Sequence, residues 1–193
     1  MAATLALSAT RNNDRVALLL ATDRVEWFVP PRKGRRHALR IVRDLLAFRP
    51  RGRGTDMAAA LDYASRLFHS RTVVFLFSDF LLGEGWAAFG RSLARLAVRH
   101  DLVAVRLTDP AEGELPEVGL VRVRDPESGD SAVLRSSGGA LRERYAALVR
   151  EERERAARLF ARHRVDEVVL RTDEPYTAPL LAFFRRRERR RAR

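Results

Sequence analysis

Cysteine is absent from this 193-residue sequence. Disulfides, thiol catalysis and thiolate metal sites are thereby excluded. Lysine is nearly absent too: Lys33 is the one lysine among 37 basic residues. Wholly apolar runs stop at about six residues, far short of the ~20 a spanning helix needs. No charged-then-apolar leader with a small-residue cleavage site opens the chain, so the expected compartment is the cytoplasm. No H-E-x-x-H pairing links the four histidines, His37, His69, His100 and His163. They are expected at the surface or at helix ends. No G-x-S-x-G elbow occurs, and Ser136-Ser137-Gly138-Gly139 lacks the lysine of a phosphate-binding loop. Nothing nominates a nucleophile with its base, so the expectation is a protein that is not an enzyme.

What is present is a chain of one-domain length, 46% hydrophobic and 32% charged. That composition fits a folded globular protein rather than a disordered one. The net charge of +12 is unevenly placed. Arg185 to Arg193 (RRRERRRAR) carries seven arginines against one glutamate and so half of the excess. An arginine run can contact phosphate without reading sequence. No nucleic-acid motif or aromatic-interleaved basic face accompanies it. Binding of nucleic acid or an anionic surface through this run is therefore the second functional reading. Residues 185–193 are expected to form an arginine-rich tail beyond a domain of residues 1–184.

Strand-like and helix-like segments alternate. RVALLLA (15–21) and TVVFLF (72–77) are continuous apolar runs of the kind buried on both faces of a parallel sheet. LVAVRL (102–107) and VDEVVL (165–170) are weaker strands. Helical periodicity falls at 36–48, 57–68, 86–98 and 141–160, with Leu39, Val42, Leu45 and Leu46 on one face of the first. A last helix holds Pro179 in its first turn and docks through Leu180, Leu181, Phe183 and Phe184. Such alternation predicts an α/β fold with a mainly parallel sheet. RVEWFV (24–29) follows the first strand so closely that it must return antiparallel, and Pro30 and Pro31 are expected to end it. One of Trp27 and Phe28 should face the core, the other an exposed patch. A second hairpin is expected from Val118 to Leu134, around the turn-rich PESGD.

Two loops could carry chemistry. RGRGTD (51–56) opens a helix with two glycines, a hydroxyl and a carboxylate. Ser78-Asp79 follows the apolar strand, and ligands of open α/β sheets bind at the carboxyl ends of strands. Thr55 and Asp79 are oxygen donors of the kind Mg²⁺ takes if their loops are neighbours. The plainer alternative is that Thr55 or Asp56 caps a helix and Asp79 makes a local turn.

Several segments together resemble one family. They are RNNDRV (11–16), VEWFVPPRKG (25–34), GRGTD (52–56), VVFLFSDF (73–80), HDLVAV (100–105), VGLVRVRDPESG (118–129), TDEPY (172–176) and FFRRR (183–187). In this order they resemble the domain-of-unknown-function family 58, whose members contain a von Willebrand factor type A-like domain. The resemblance implies a Rossmann-like sheet with helices on both faces, one antiparallel edge strand and an inserted β-hairpin. It implies a metal-ion-dependent adhesion site for Mg²⁺, in which Thr55 matches the second loop and Asp79 the third. The first loop, Asp-x-Ser-x-Ser after a first central strand, has no counterpart, and Met1 to Thr10 matches the end of the helix that follows it. The chain is therefore expected to be a fragment or to have a misplaced start; otherwise it closes around the gap, or another chain lends the strand. Membrane attachment would come only through an upstream segment. The resemblance further implies an adaptor for a MoxR-type AAA+ ATPase and a client protein, in assembly or maturation of protein complexes.

Overall fold

A computed structural model describes residues 1–110, 119–124, 131–135 and 139–191. The fold is mixed α/β and divides into two compact units, residues 1–67 and 68–193.

In the first unit, helix α1 (Ala2–Arg11) precedes strands β1 (Val16–Ala21) and β2 (Val25–Arg32), then helices α2 (Arg35–Ala47) and α3 (Met57–Leu67). The expected antiparallel return is present: β1 and β2 form a two-stranded ladder. The prolines do not end β2, contrary to the sequence reading. Val16 pairs with Arg32 and Leu18 with Val29, so the shift of register falls at Pro30 and Pro31. A bulge on an outer strand accommodates residues that cannot donate to the ladder. The core of this unit is Ala6, Val29, Ala38 and Ile41, with Val16, Leu18 and Leu45 packed against it. The apolar face of α2 is thus rotated from the one expected. Leu39 and Leu46 are exposed, while His37 is buried and its Nε2 lies 2.8 Å from the Val16 carbonyl oxygen.

In the second unit, β3 (Val73–Ser78), a 3-10 turn (Gly83–Gly85), α4 (Trp86–Arg99) and β4 (Asp101–Thr108) are followed by β5 (Leu120–Arg124) and β6 (Ser131–Arg135). Helix α5 (Gly139–Arg162), β7 (Asp166–Arg171) and α6 (Thr177–Arg191) complete it. Strands β3, β4 and β7 form a parallel three-stranded sheet with β4 central. Burial follows that order. Leu102 to Arg106 of β4 are fully buried, whereas β3 is half-buried and Val73 is 46% exposed, less burial than its apolar run suggests. Strands β5 and β6 pair antiparallel as the second hairpin requires. Its first residue, Val118, and its turn lie outside the described residues, as do 136–138 of the Ser-Ser-Gly-Gly segment. Phe80, Phe89, Leu93, Leu96 and Phe160 are the largest fully buried side chains among the described residues of this unit.

Helix α6 corrects the reading of the chain's end. Leu180 and Phe183 are buried, but Leu181 and Phe184 are exposed. The arginine run does not begin where docking stops, because the helix continues to Arg191. Arg187 pairs with both Asp101 and Asp166, the latter at 3.2 Å, and Arg190 pairs with Asp166 at 2.9 Å. Acidic residues at the starts of β4 and β7 thus draw the run onto the sheet. Sequence spacing cannot show this, since the partners are 21 or more residues away. No described helix is long and apolar enough to cross a membrane.

Candidate functional site

Thr55 belongs to the first unit and Asp79 to the second. Each is built by its own surroundings.

In the first unit, the loop Arg49 to Asp56 is held by a carboxylate. Oε1 of Glu26, on β2, accepts hydrogen bonds from the Thr22 hydroxyl (3.0 Å), the Arg51 N–H (3.1 Å) and the Gly52 N–H. The Gly52 bond first, then Thr22, Arg51 and the nearby Arg24 guanidinium, holds the Glu26 carboxyl below its ordinary range; desolvation opposes them. The Thr22 hydroxyl also lies 3.0 Å from Asp23 Oδ1. Glycine is required at position 52 by this close approach. An added Cβ would overlap Asp23 Oδ1 and Thr22 Oγ1 and crowd Glu26 Oε1. The Asp56 N–H donates to the Thr22 carbonyl at 2.9 Å, closing the loop against the β1–β2 turn. Asp56 caps α3, its Oδ1 accepting from the Ala59 N–H at 2.9 Å. Thr55 is exposed directly before that cap. The helix-capping reading therefore holds for Asp56. The anchoring role of Glu26 was missed, because an acidic residue in an alternating strand reads as a solvent-facing position.

The aromatic pair beside this loop is also resolved. Trp27 is 44% exposed, and its Nε1 donates to Asp44 at 3.2 Å. Phe28 is half-buried and meets Tyr63 edge-on at 6.1 Å. The packed residue is Phe28.

In the second unit, Asp79 stands exposed just past the end of β3. Its Oδ1 accepts from the Leu81 N–H at 3.1 Å and lies 3.3 Å from the Ser78 hydroxyl. The local turn foreseen for Asp79 is thus formed. Asp79 also lines a small cleft with Leu81, Leu107, Thr108, Val149 and Arg153. This cleft is at the carboxyl ends of β3 and β4, where sheet topology places ligands. The next residue is strained. Phe80 has φ of +57°, which a bulky side chain rarely adopts. Packing enforces it: the ring is fully buried, edge-on to Phe160 at 5.1 Å and tilted against Phe89 at 6.1 Å. The Phe80 N–H donates to Ser78 Oγ at 3.0 Å. Glu152 of α5 fastens the rest of the loop. Its carboxylate accepts from the N–H groups of Leu82 and Gly83, each at 3.1 Å, and from Trp86 Nε1 at 2.8 Å.

Beneath the cleft, Arg106 of β4 is buried and pairs with Glu167 of β7. Its Nη1 is buried without a partner among the described residues. His100, buried before β4, likewise has no partner for either ring nitrogen among those residues. It meets Phe68 edge-on at 6.3 Å, and desolvation, with Arg99 second, lowers its pKa. His37, in the first turn of α2, and His100, directly after α4, thus stand at helix ends as expected, but both are buried. Neither shows a sequence signal, because burial there is set by residues distant in the chain.

The family described as "Protein of unknown function DUF58" matches residues 1–155. The chain belongs to the DUF58 family. Uncharacterized proteins Mb1516 of Mycobacterium bovis and Rv1480 of Mycobacterium tuberculosis are each 33% identical to it over 180 residues. Those alignments cover 91% of this chain and 55% of each relative, so this DUF58 chain spans about half the length of these relatives. Uncharacterized protein MAV169 of Mycobacterium avium is 31% identical over 164 residues, covering 83% of this chain and 94% of the relative. Among solved structures, the conserved hypothetical protein BatB from Bacteroides thetaiotaomicron superposes with a TM-score of 0.54. That match covers 94% of this chain and 82% of BatB at 15% identity, a likeness of fold alone.

Proposed function

We propose that this DUF58 chain is a non-enzymatic interaction module with a von Willebrand factor A-like fold. It would work in the cytoplasm as an adaptor between a MoxR-type AAA+ ATPase and a client protein during assembly or maturation of a complex. The observation that carries this reading is the cleft at the carboxyl end of the parallel sheet. There an exposed carboxylate, Asp79, stands on a loop held rigid by Phe80 and Glu152. A rigid carboxylate beside Arg153 and Thr108 presents both charges and a hydroxyl to a partner's loop. The match to BatB over nearly all of the chain supports the fold part of the proposal.

Mg²⁺ would require several oxygen ligands in near-octahedral order. Asp79 supplies one carboxylate, one of whose oxygens already serves its own turn. Among the described residues no three acidic or histidine side chains are gathered to hold a metal. We assign capture to the loop itself. Millimolar Mg²⁺ should leave the thermal midpoint unchanged; a rise abolished by Asp79→Ala would overturn that assignment. The adaptor role is tested by a pull-down with the cognate ATPase, with and without Mg²⁺. Enrichment lost on Asp79→Ala is expected, and no enrichment under either condition would sink the proposal.

A further inference from the structure

The largest unspent positive charge of this chain lies in its first unit, not at its C-terminus. Residues 32–53 hold nine basic residues against one acidic, Asp44, a larger excess than that of the C-terminal run. That run also spends two arginines inside the fold, Arg187 on Asp101 and Asp166, and Arg190 on Asp166. In 32–53 all nine cations are exposed. Arg40 and Arg43 share Asp44, at 3.5 and 2.7 Å. The other seven have no ion-pair partner among the described residues.

Helix α2 arranges the middle of this segment. Ala38, Ile41 and Leu45 turn inward, to the core that holds Ala6 of α1 and Val16 and Leu18 of β1. Arg36, Leu39, Arg43 and Leu46, spaced by three or four residues, form one stripe on the opposite side. Arg35 and Arg40 border it. Leu39 is 48% exposed and Leu46 78%. Arg32 and Lys33 precede the helix, and Arg49, Arg51 and Arg53 follow it. The outward face of α2 is thus a pair of leucines among cations.

Such a face is complementary to something anionic that also takes apolar side chains. A second copy of the chain would bring like charges together. A nucleic-acid backbone asks for cations alone, and this stripe offers no aromatic ring on which bases could stack. A compact acidic ligand needs a concave seat, whereas the outward arc of a helix is convex. An anionic bilayer meets both demands, because headgroups neutralise the cations while leucines enter the acyl boundary.

We infer that α2 and its flanks are a docking surface for anionic phospholipid membrane. Leu39 and Leu46 enter the bilayer surface, and Lys33, Arg35, Arg36 and Arg43 meet headgroup phosphates. The contact is peripheral and does not involve Asp79.

The test is sedimentation of this chain with vesicles of equal parts phosphatidylcholine and phosphatidylglycerol. Binding is expected that weakens as salt rises, with none to phosphatidylcholine alone. Arg35→Glu/Arg36→Glu should weaken it roughly tenfold or more. Acidic residues suit the first turn of a helix, so that loss would not come from unfolding. Leu39→Gln/Leu46→Gln should also weaken it, by roughly tenfold. Arg185→Gln/Arg189→Gln should leave it unchanged, and thermal midpoints should hold in all three variants. Equal binding to both kinds of vesicle, or to neither, overturns the inference. So does binding that ignores the α2 variants or is lost with the C-terminal one. A DNA duplex or polyglutamate bound more tightly than vesicles, and indifferent to the leucines, gives the face to nucleic acid or an acidic protein instead. A midpoint that drops in the leucine variant shows that the chain itself covers Leu39 and Leu46, and overturns the inference too.

Discussion

The loop from Arg49 to Asp56 and the loop from Asp79 to Gly85 both begin helices, yet they are held by opposite means. The first has almost no apolar anchor. Its backbone is drawn in by one carboxylate, Glu26, and by a glycine that lets the chain come close. The second is pinned by a buried phenylalanine in a strained conformation, and only then by the Glu152 carboxylate. Strain at Phe80 costs about 1–3 kcal/mol and persists only because the aromatic cluster over-determines it. The lesson concerns sensitivity. A loop held by charge yields to acid and to loss of a single oxygen, whereas a loop held by packing yields to loss of volume.

The contrast should break most sharply at Phe80. Phe80→Ala removes a fully buried ring beside Phe89 and Phe160 and should cost about 3–5 kcal/mol in chemical denaturation. A loss near zero would mean that strain, not packing, dominates this loop. Gly52→Ala should come next, at about 2 kcal/mol, because the backbone must withdraw from Asp23 and Thr22. Its amide exchange should quicken around residues 51–56 while that around 79–83 stays unchanged. A uniform change across both loops would erase the distinction.

Acid sharpens the comparison further. His100 resists protonation in the fold, since burial lowers its pKa from 6.5. The unfolded chain then binds more protons below that value, so stability should fall as pH drops below 6.5. His100→Leu should flatten this slope in denaturation measured from pH 7 to 5. Glu26 is the opposite kind of group but has the same sign. Its folded pKa lies below 4.5, so its contribution is complete above that value and is lost as pH falls through the folded pKa. The smallest effect expected is that of Glu26→Gln at neutral pH: faster amide exchange at Arg51 and Gly52, with little change in global stability. Unchanged exchange at both amides would show that the carboxylate charge does not hold the loop.

Much of the fold was legible from apolar pattern. The runs at Val16–Ala21 and Val73–Ser78 are strands, and the helical periods match α2 to α5 within a few residues. These features depend on neighbours along the chain, which a sequence displays. The face of α2 was misread because Leu39 and Leu46 share a period with Val42 and Leu45, and only packing against α1 chooses Ala38 and Ile41. For the candidate site, Asp79 was legible as a carboxylate at a strand end. The glycines of RGRGTD announced a close approach, but not what was approached. Glu26, Glu152 and the Arg106–Glu167 pair were not legible, because each joins residues 25 to 70 positions apart.

By itself the sequence determined the alternation of strands and helices, the antiparallel return after Ala21, and the family. All of these follow from local pattern or from motifs kept in order. Tertiary structure alone decided where the arginine run goes. The charges of β4 and β7 and the arginines of α6 meet only when the chain is folded, because they lie far apart in sequence.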